Sequence, residues 1–490
     1  MAASLLGHGS NATTSPLQDQ LSRPMTIGHI SVVGASHTRH NFLNPFFAPL
    51  VSRDDLTVAD VMSGLQSAIS KLNRYDIFEP VETASLSKSS SPTAAQTDVD
   101  VALVLKEKSR LYFKTGTELG NAEGSANAEG HARNIFGGGE SLVVNASAGT
   151  RTRSAYAAEF ATPVVPGDPD TRLSVNAAAT NVAKPWASHE EVSKLAGGKV
   201  SWGSGYEGGG HQLGYSMNWR TITALSGTAS PTVRNDAGDS VKNSITYMYL
   251  KDKRDNPMLP QSGYLYKSVW EMAGWGPLGG DVSFSKSEME VAAALPVPLP
   301  GVKGKTGVSI SGGFRCGMMY PLPMGYTFMG RKAQPSRIND RFQLGGPNDV
   351  RGFKQGGLGP RDGPDAAGGD VFAAGSVNLL FPLPRTGVDS NFRVQLFANG
   401  GRVVGLKGRS KGKASGEGGG GGMSMSAVKN GIVGSVQDLC TGLPSVAAGV
   451  GLVYAHPVAR FELNFCLPLV LRRGEEGRKG LQVGVGINFL

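Results

Sequence analysis

The sequence predicts a transmembrane antiparallel β-barrel of about sixteen strands, preceded by one small α+β domain. Three observations carry this expectation. Short alternating runs, most near the ~10 residues a tilted strand needs to cross a bilayer, follow one another from residue 110 to the C-terminus. Glycine makes up 69 of the 490 residues, about twice the usual ~7%. Helical periodicity is confined to the stretch before residue 110.

The small domain is read over residues 26–108, after a disordered N-terminal segment at 1–25. "TIGHISVVG" (Thr26–Gly34) reads as a strand. Thr57 followed by Asp60 reads as a helix cap with an acid three residues on. Val58, Val61, Met62, Leu65, Ile69 and Leu72 then fall at helical spacing on one face. "PVETASL" (Pro80–Leu86) and "DVDVALVLKEK" (Asp98–Lys108) read as two more strands, joined by a Ser/Thr-rich linker.

The barrel is read over residues 109–490. In "VARFELNFCL", Ala459, Phe461, Leu463, Phe465 and Leu467 share one face, and Arg460, Glu462, Asn464 and Cys466 the other. In "HQLGYSMNWR", Leu213, Tyr215, Met217 and Trp219 oppose Gln212, Gly214, Ser216, Asn218 and Arg220. In "FRVQLFAN", Phe392, Val394, Leu396 and Ala398 oppose Arg393, Gln395, Phe397 and Asn399. A soluble sandwich shows the same alternation, so no single strand decides. The number of segments does. A soluble domain of that many strands needs two large packed layers, whereas a closed barrel is covered by lipid and has no unpaired edge.

Other classes find little support. No window holds 18 uninterrupted apolar residues, so no transmembrane helix is expected, which leaves a barrel open. The formal charge of +9 comes from basic residues spread along the chain, with no nucleic-acid-binding motif. The cysteines (Cys316, Cys440, Cys466) are far apart and odd in number, which supports neither a disulfide framework nor a zinc site. There is no HExxH, GxSxG or P-loop, and "GEGGGGG" (Gly416–Gly422) lacks the following Lys-Ser/Thr. No cofactor, metal or enzymatic activity is expected. The N-terminus has neither a secretory h-region nor an Arg-rich face, so the acceptor-like Asn11-Ala12-Thr13 carries no weight.

Two long connections stand out. "GGPNDVRGFKQGG" (Gly345–Gly357) sets Val350, Arg351, Gly352 and Phe353 at the centre of a glycine-rich loop taken as 341–369. A cation and an aromatic flanking a glycine suit a loop that docks. A second loop, 406–443, contains a Gly/Ser/Lys run with Lys407, Arg409, Lys411 and Lys413, and is expected to be flexible.

These features together resemble the outer-membrane protein insertase superfamily. Within it, the chain is similar to the family of central barrel subunits of the mitochondrial sorting and assembly machinery. The resemblance covers about residues 26–490 and is carried by "TGTELGNAEGSANAEGHARNIFGGGESL", "RFQLGGPNDVRGF", "GGDVFAAGSVNLLFPLP", "ARFELNFCLPL" and "GLQVGVGINFL". It implies that the small domain is a POTRA-like domain in the intermembrane space. It implies an integral protein of the mitochondrial outer membrane that folds and inserts unfolded β-barrel precursors, porin-type and translocase channel proteins among them. Its implied partners are the lipid bilayer, peripheral cytosol-facing subunits and, as a further association, a second barrel, with no nucleic acid. The alternative within the superfamily is a polypeptide-secreting pore, for which two such domains and a signal peptide would be expected.

The site follows from these readings. A barrel of this size leaves a lumen that wall side chains do not fill, and the Arg351 loop is the candidate occupant. A buried Arg351 needs acceptors on the inner wall. In bacterial relatives an acidic residue on the second strand after the loop serves. Here that stretch, Leu396–Gly400, has no carboxylate but contains Asn399, and the strand just after the loop offers Asn378. A neutral pocket is therefore expected, with Glu462 as the next candidate partner. The barrel should close where a first strand (Leu111, Phe113, Gly116) meets a last one (Gln482, Gly484, Gly486, Ile487, Phe489). Glycines inside the last strand weaken that pairing, so the seam is the expected lateral gate, open to strand addition. Gln482, Gly484, Ile487 and Phe489 also match the polar-x-Gly-x-x-hydrophobic-x-hydrophobic signal that the resemblance associates with client final strands.

Overall fold

The computed structural model describes residues 21–486 except 54, 81–83, 90–94, 96, 121–122, 205–207, 299, 302–305, 326–331, 384, 386, 388–389, 407–421 and 457–458. The first twenty residues, the basic cluster Lys407–Lys413, and Ile487 and Phe489 thus lie outside the described residues. The chain divides into two compact units.

The first unit comprises residues up to 112 together with 131–142 and 161–172. Its sheet runs in the order β1 (Thr26–Val33), β3 (Asp98–Val104), β2 (Ala84–Lys88). β1 and β3 are parallel, and β2 is antiparallel to β3. Two helices cover it: α1 (His40–Val51) and α2 (Val58–Asn73). α2 begins at a capping box in which Thr57 Oγ1 accepts from Asp60 N (3.3 Å) and Asp60 Oδ2 accepts from Thr57 N (3.1 Å). That pair satisfies two of the donors a helix start leaves open. Val61, Leu65, Ala68 and Leu72 face the core, while Met62, expected on the same stripe, is 53% exposed. The four buried positions already complete the i, i+4, i+7 face, so Met62 falls beyond its edge.

α1 was not expected, because Pro45 and Pro49 lie inside it. Each removes a backbone donor and crowds the preceding turn. Burial of Phe42, Leu43, Phe46, Phe47 and Leu50 in the domain core offsets that cost. The turn Asn134–Glu140 packs on this helix. Gly137 O accepts from Arg39 N (2.8 Å), Asn134 Nδ2 donates to Thr38 Oγ1 (2.9 Å), and a Cβ at Gly139 would sit 2.9 Å from the Phe42 ring.

Glu107 ties the segment before α1 to the end of β3. Its carboxylate accepts from His37 N, Thr38 N and Thr38 Oγ1 at 3.1, 3.1 and 2.7 Å. Partial burial pushes its pKa up, but the hydrogen bonds from Thr38 and His37 outweigh this and hold it below the ordinary glutamate value. Because the folded pKa is depressed, the stabilisation is complete above about pH 4.3 and is lost as pH falls through the folded value. Hydrogen-exchange protection of the Thr38 amide, corrected for intrinsic rate, should therefore drop on acidification. In Glu107→Gln the protection should be low at every pH. A flat profile in the unaltered chain would remove Glu107 from this role.

Among the described residues the large sheet has sixteen strands. The first eleven are β4 (Leu111–Gly120), β5 (Glu123–Arg133), β6 (Ser141–Gly149), β7 (Thr152–Pro163), β8 (Arg172–Lys184), β9 (His189–Trp202), β10 (Gly210–Thr223), β11 (Gly238–Asp252), β12 (Gly263–Ala273), β13 (Phe284–Pro296) and β14 (Ser309–Pro321). A long connection holding a small hairpin, β15 (Arg361–Asp362) and β16 (Asp365–Ala366), leads to the other five. These are β17 (Val371–Pro382), β18 (Phe392–Val404), β19 (Ser445–Ala455), β20 (Arg460–Val470) and β21 (Gly480–Gly486). Every strand neighbours the next in chain order, and β4 and β21 are the two end strands. Among the described residues no ladder joins those two.

The sheet's polarity settles sandwich against barrel. In β20, Phe461, Leu463, Phe465 and Leu467 are each more than 40% exposed, whereas Arg460, Glu462, Asn464 and Cys466 are buried. In β18, Phe392 and Leu396 are exposed, while Arg393, Gln395, Phe397 and Asn399 are buried. A sandwich would bury the apolar face. Here the polar face is inside and the apolar face outside, as in a sheet whose outer solvent is lipid.

The connection after β18 differs from expectation. Instead of a flexible segment through to 443, residues Met425–Thr441 form a helix, α3. Ser424 caps it by accepting from Ala427 N (3.3 Å), and Val428, Gly431, Ile432 and Ser435 form its buried face. The glycine-rich run just before it, and Gly431 and Gly434 within it, mask that periodicity in the sequence.

Candidate functional site

The connection between β14 and β17 packs against the inner wall and buries Arg351, the largest fully buried side chain among the described residues. Gly345 and Gly346 turn the chain with φ of +112° and +125°. Asp349 Oδ2 accepts from Gly345 N (2.8 Å), and Asp349 Oδ1 accepts from Arg315 of β14 (3.0 Å). Val350 and Phe353, both 0% exposed, join Phe342, Leu344 and Leu358 of the loop with Phe372, Ala374, Val403 and Ala447 of the wall. This apolar cluster seats the loop.

Arg351 then reaches three strands. Its Nε and Nη2 donate to Glu462 of β20 at 3.0 and 3.3 Å, and its Nη1 donates to Asn378 of β17 at 3.1 Å. Its guanidinium carbon lies 4.9 Å from the centre of the Phe397 ring in β18. The expected neutral pocket is thus corrected: the side-chain partner is a carboxylate as well as an amide. Glu462 is itself fully enclosed. It accepts from Arg460 Nη2 (2.6 Å), Gln395 Nε2 (3.1 Å) and Asn464 Nδ2 (2.7 Å). A buried carboxylate shared by two guanidiniums leaves a net charge of +1, which the amide oxygens of Asn378 and Gln395 help to solvate by accepting from Arg351 Nη1 and Arg460 Nη2.

Asn399 serves the backbone and not the side chain of Arg351. With its amide oriented to satisfy both groups, it accepts from Arg351 N (2.8 Å) and donates to Arg351 O (3.1 Å). Gly352 follows at φ +87°, where a Cβ would lie 2.6 Å from that of Ala447. Gly352→Ala therefore meets both strain and a clash, and should lift the tripeptide off the wall at a cost above ~1 kcal/mol. A rise in protease nicking within 345–357 would report this, and nicking equal to the unaltered chain would refute it.

The loop also grips the last strand. Gln482 Oε1 accepts from Gly352 N (2.9 Å), Gln482 Nε2 donates to Phe353 O (3.4 Å), and Asn348 Nδ2 donates to Val485 O (2.6 Å). Just before β21, Arg478 N donates to Gly352 O (2.8 Å) and Lys354 N donates to Glu476 O (3.1 Å). On the opposite part of the sheet, Asp340 pairs with Arg220 of β10 (2.6 Å), and Trp186, beyond β8, donates to Gln343 (2.7 Å).

The seam residues occupy the two end strands. In β21, Gly484 stands opposite Glu462 and Gly486 opposite Arg460. In β4, Leu111 and Phe113 are 76% and 71% exposed, and a Cβ at Gly116 would approach the Asn127 side chain at 2.7 Å. Sequence reasoning did not single out Gln395, Asn464 or Arg460. Their position on the Glu462 face of alternating strands was the signal that could have found them.

A buried loop cation clamped by the polar inner wall of a lipid-facing sheet defines an outer-membrane-type β-barrel with an internal loop. Comparisons with known proteins place it further. The Omp85 superfamily domain matches residues 134–489, and the chain belongs to the Omp85 superfamily. A SAM50-like protein of Schizosaccharomyces pombe is 36% identical over 97% of this chain and 93% of its own length. The Sorting and assembly machinery component 50 homolog of Mus musculus is 30% identical, over 96% of this chain and 91% of its own. In fold, the chain is similar to BamA from Haemophilus ducreyi lacking POTRA domains 1–3, with a TM-score of 0.70 at 16% identity, covering 95% of this chain and 85% of that one.

Proposed function

We propose that this chain is the barrel insertase of a sorting and assembly machinery in the mitochondrial outer membrane. It folds β-barrel precursors into the bilayer through a lateral gate between β4 and β21, with the N-terminal α+β module in the intermembrane space. Near full-length similarity to sorting and assembly machinery components supports the machinery. The observation that carries the gate is the position of β4 and β21 as the end strands of the sheet. An end strand offers a row of backbone donors and acceptors, and a client strand can join it by β-augmentation. Among the described residues no ladder joins β4 to β21, so the client strand pairs with an edge left unladdered and the addition needs no nucleotide. Clients are unfolded barrel precursors, and peripheral subunits act from the cytosolic side.

The test is site-specific crosslinking of an arrested barrel precursor to single cysteines at 111–117 and 481–485. Crosslinks of the client's final strand to β4, with alternate-residue periodicity, are expected. Crosslinks confined to inward-facing wall positions would replace the gate with passage through the lumen.

A further inference from the structure

The outer face of the sheet carries a groove that the insertase reading does not use. α3 lies over β14, β17 and β18, with Val428 and Ile432 packed near Tyr320 and Leu406. Below the helix's C-terminal end, the outward positions of the strands are small. The register sets Ala373 opposite Arg402, Gly375 opposite Gly400, and Val377 opposite Ala398. Phe314 stands beside Gly375, and Leu439 and Cys440 of α3 overhang it. The cavity measures about 540 Å³ and is mostly apolar, within the ~300–1,000 Å³ range of small-ligand sites.

One cation closes it. Arg402 is on the outward face and lines the groove, yet it is only 6% exposed, because the end of α3 covers it. Asp438 O at the helix C-terminus accepts from its Nη1, and its Nε has no hydrogen-bond partner among the described residues. Asp438 and Glu475 lie close enough to offset its charge and Arg472 adds a second cation nearby, so the pull on an anion comes from the orphaned Nε, a charged donor that still needs an acceptor. Arg402 lies two residues from the end of β18, while Gly400 and Ala398 follow toward the strand's middle. Polarity thus falls from rim to interior in the order of a phospholipid's headgroup and chain. Beyond the groove, Val433, Val436 and Leu443 are exposed, an apolar surface suited to the headgroup–acyl boundary.

We propose that this groove is a phospholipid site: an acyl chain lies along Ala373, Gly375, Ala398 and Gly400, and the phosphate meets Arg402. The site rests on the outer-face geometry and is independent of the gate. Cys440, exposed at the groove's edge, is a built-in reporter.

The delipidated full chain in detergent is incubated with phosphatidylcholine of defined chains, or with diacylglycerol of the same chains. Retained lipid is counted by native mass spectrometry, and maleimide labelling of Cys440 is timed in a chain whose other cysteines are serine. Phosphatidylcholine should be retained at one copy and slow the labelling about tenfold, while diacylglycerol should not. Arg402→Gln should abolish the protection. Gly375→Leu fills the floor without backbone strain, since a Cβ there meets nothing closer than 3.5 Å, and should abolish it too. Unheated migration in SDS gels verifies folding of each variant. Equal retention by all three chains, equal protection by diacylglycerol, or capture of a polypeptide by a crosslinker at Cys440 would each overturn the proposal.

Discussion

Glu462→Ala is expected to destabilise the barrel by about 3–5 kcal/mol, because removing one partner of a buried ion pair leaves the others uncompensated. Here two guanidiniums lose their shared carboxylate, and both are enclosed: Arg351 is 1% and Arg460 7% exposed. Gln395 and Asn464 also lose an acceptor. The unheated chain should shift from the compact to the extended form in SDS gels at a lower temperature, and the loop should become protease-sensitive. The triple change Glu462→Met, Arg351→Met, Arg460→Met should regain much of the stability, since apolar replacement of a whole buried ionic group is often neutral. It should not regain client insertion if the charged clamp serves the cycle. A Glu462→Ala barrel as heat-resistant as the unaltered one would show that the cluster does not hold the loop.

The second large effect is expected at the seam. A disulfide joining a cysteine at Phe113 to one placed among positions 481–485 should stop client insertion, and reductant should restore it. Each single-cysteine chain controls for the substitution itself, and binding of precursor to the locked barrel should persist. The expected size is complete loss, because strand exchange requires the two ends to separate. Insertion at an undiminished rate with the seam tethered would sink the exchange mechanism.

Much of this architecture was legible because two periodicities survive in the sequence. The period-two alternation named the inward face of Arg460–Cys466 in β20 and Arg393–Asn399 in β18 residue by residue, since the side chains there obey the pleat; it fails past the register shift at the end of β20, where Leu469 and Val470 are both exposed. α2 was legible from its cap and stripe. α1 was not, because local rules weigh two prolines more heavily than the aromatic burial that tertiary packing supplies. α3 was hidden by glycine for a similar reason. The loop tripeptide stood out by composition, but its partner did not. Glu462 lies 111 residues from Arg351, and the two meet because β17, β18, β19 and β20 roll the wall around the loop. Nearer amides, Asn378 and Asn399, ranked higher in sequence, and both indeed touch Arg351. Only spatial register reveals that they supplement a carboxylate.

Gln482 has a consequence for the order of events. It belongs to the terminal stave, yet both ends of its amide are spent on the tripeptide's backbone. On the proposed gate, peeling that stave away strips the loop of its Gln482 and Val485 contacts while those to β17, β18 and β20 remain, and a dislodged loop in turn loosens the stave by the same free energy, as linkage requires. In the proposed gate, cargo entry and release of the loop from the last stave are thereby coupled, like a latch that tugs its bolt as it lifts.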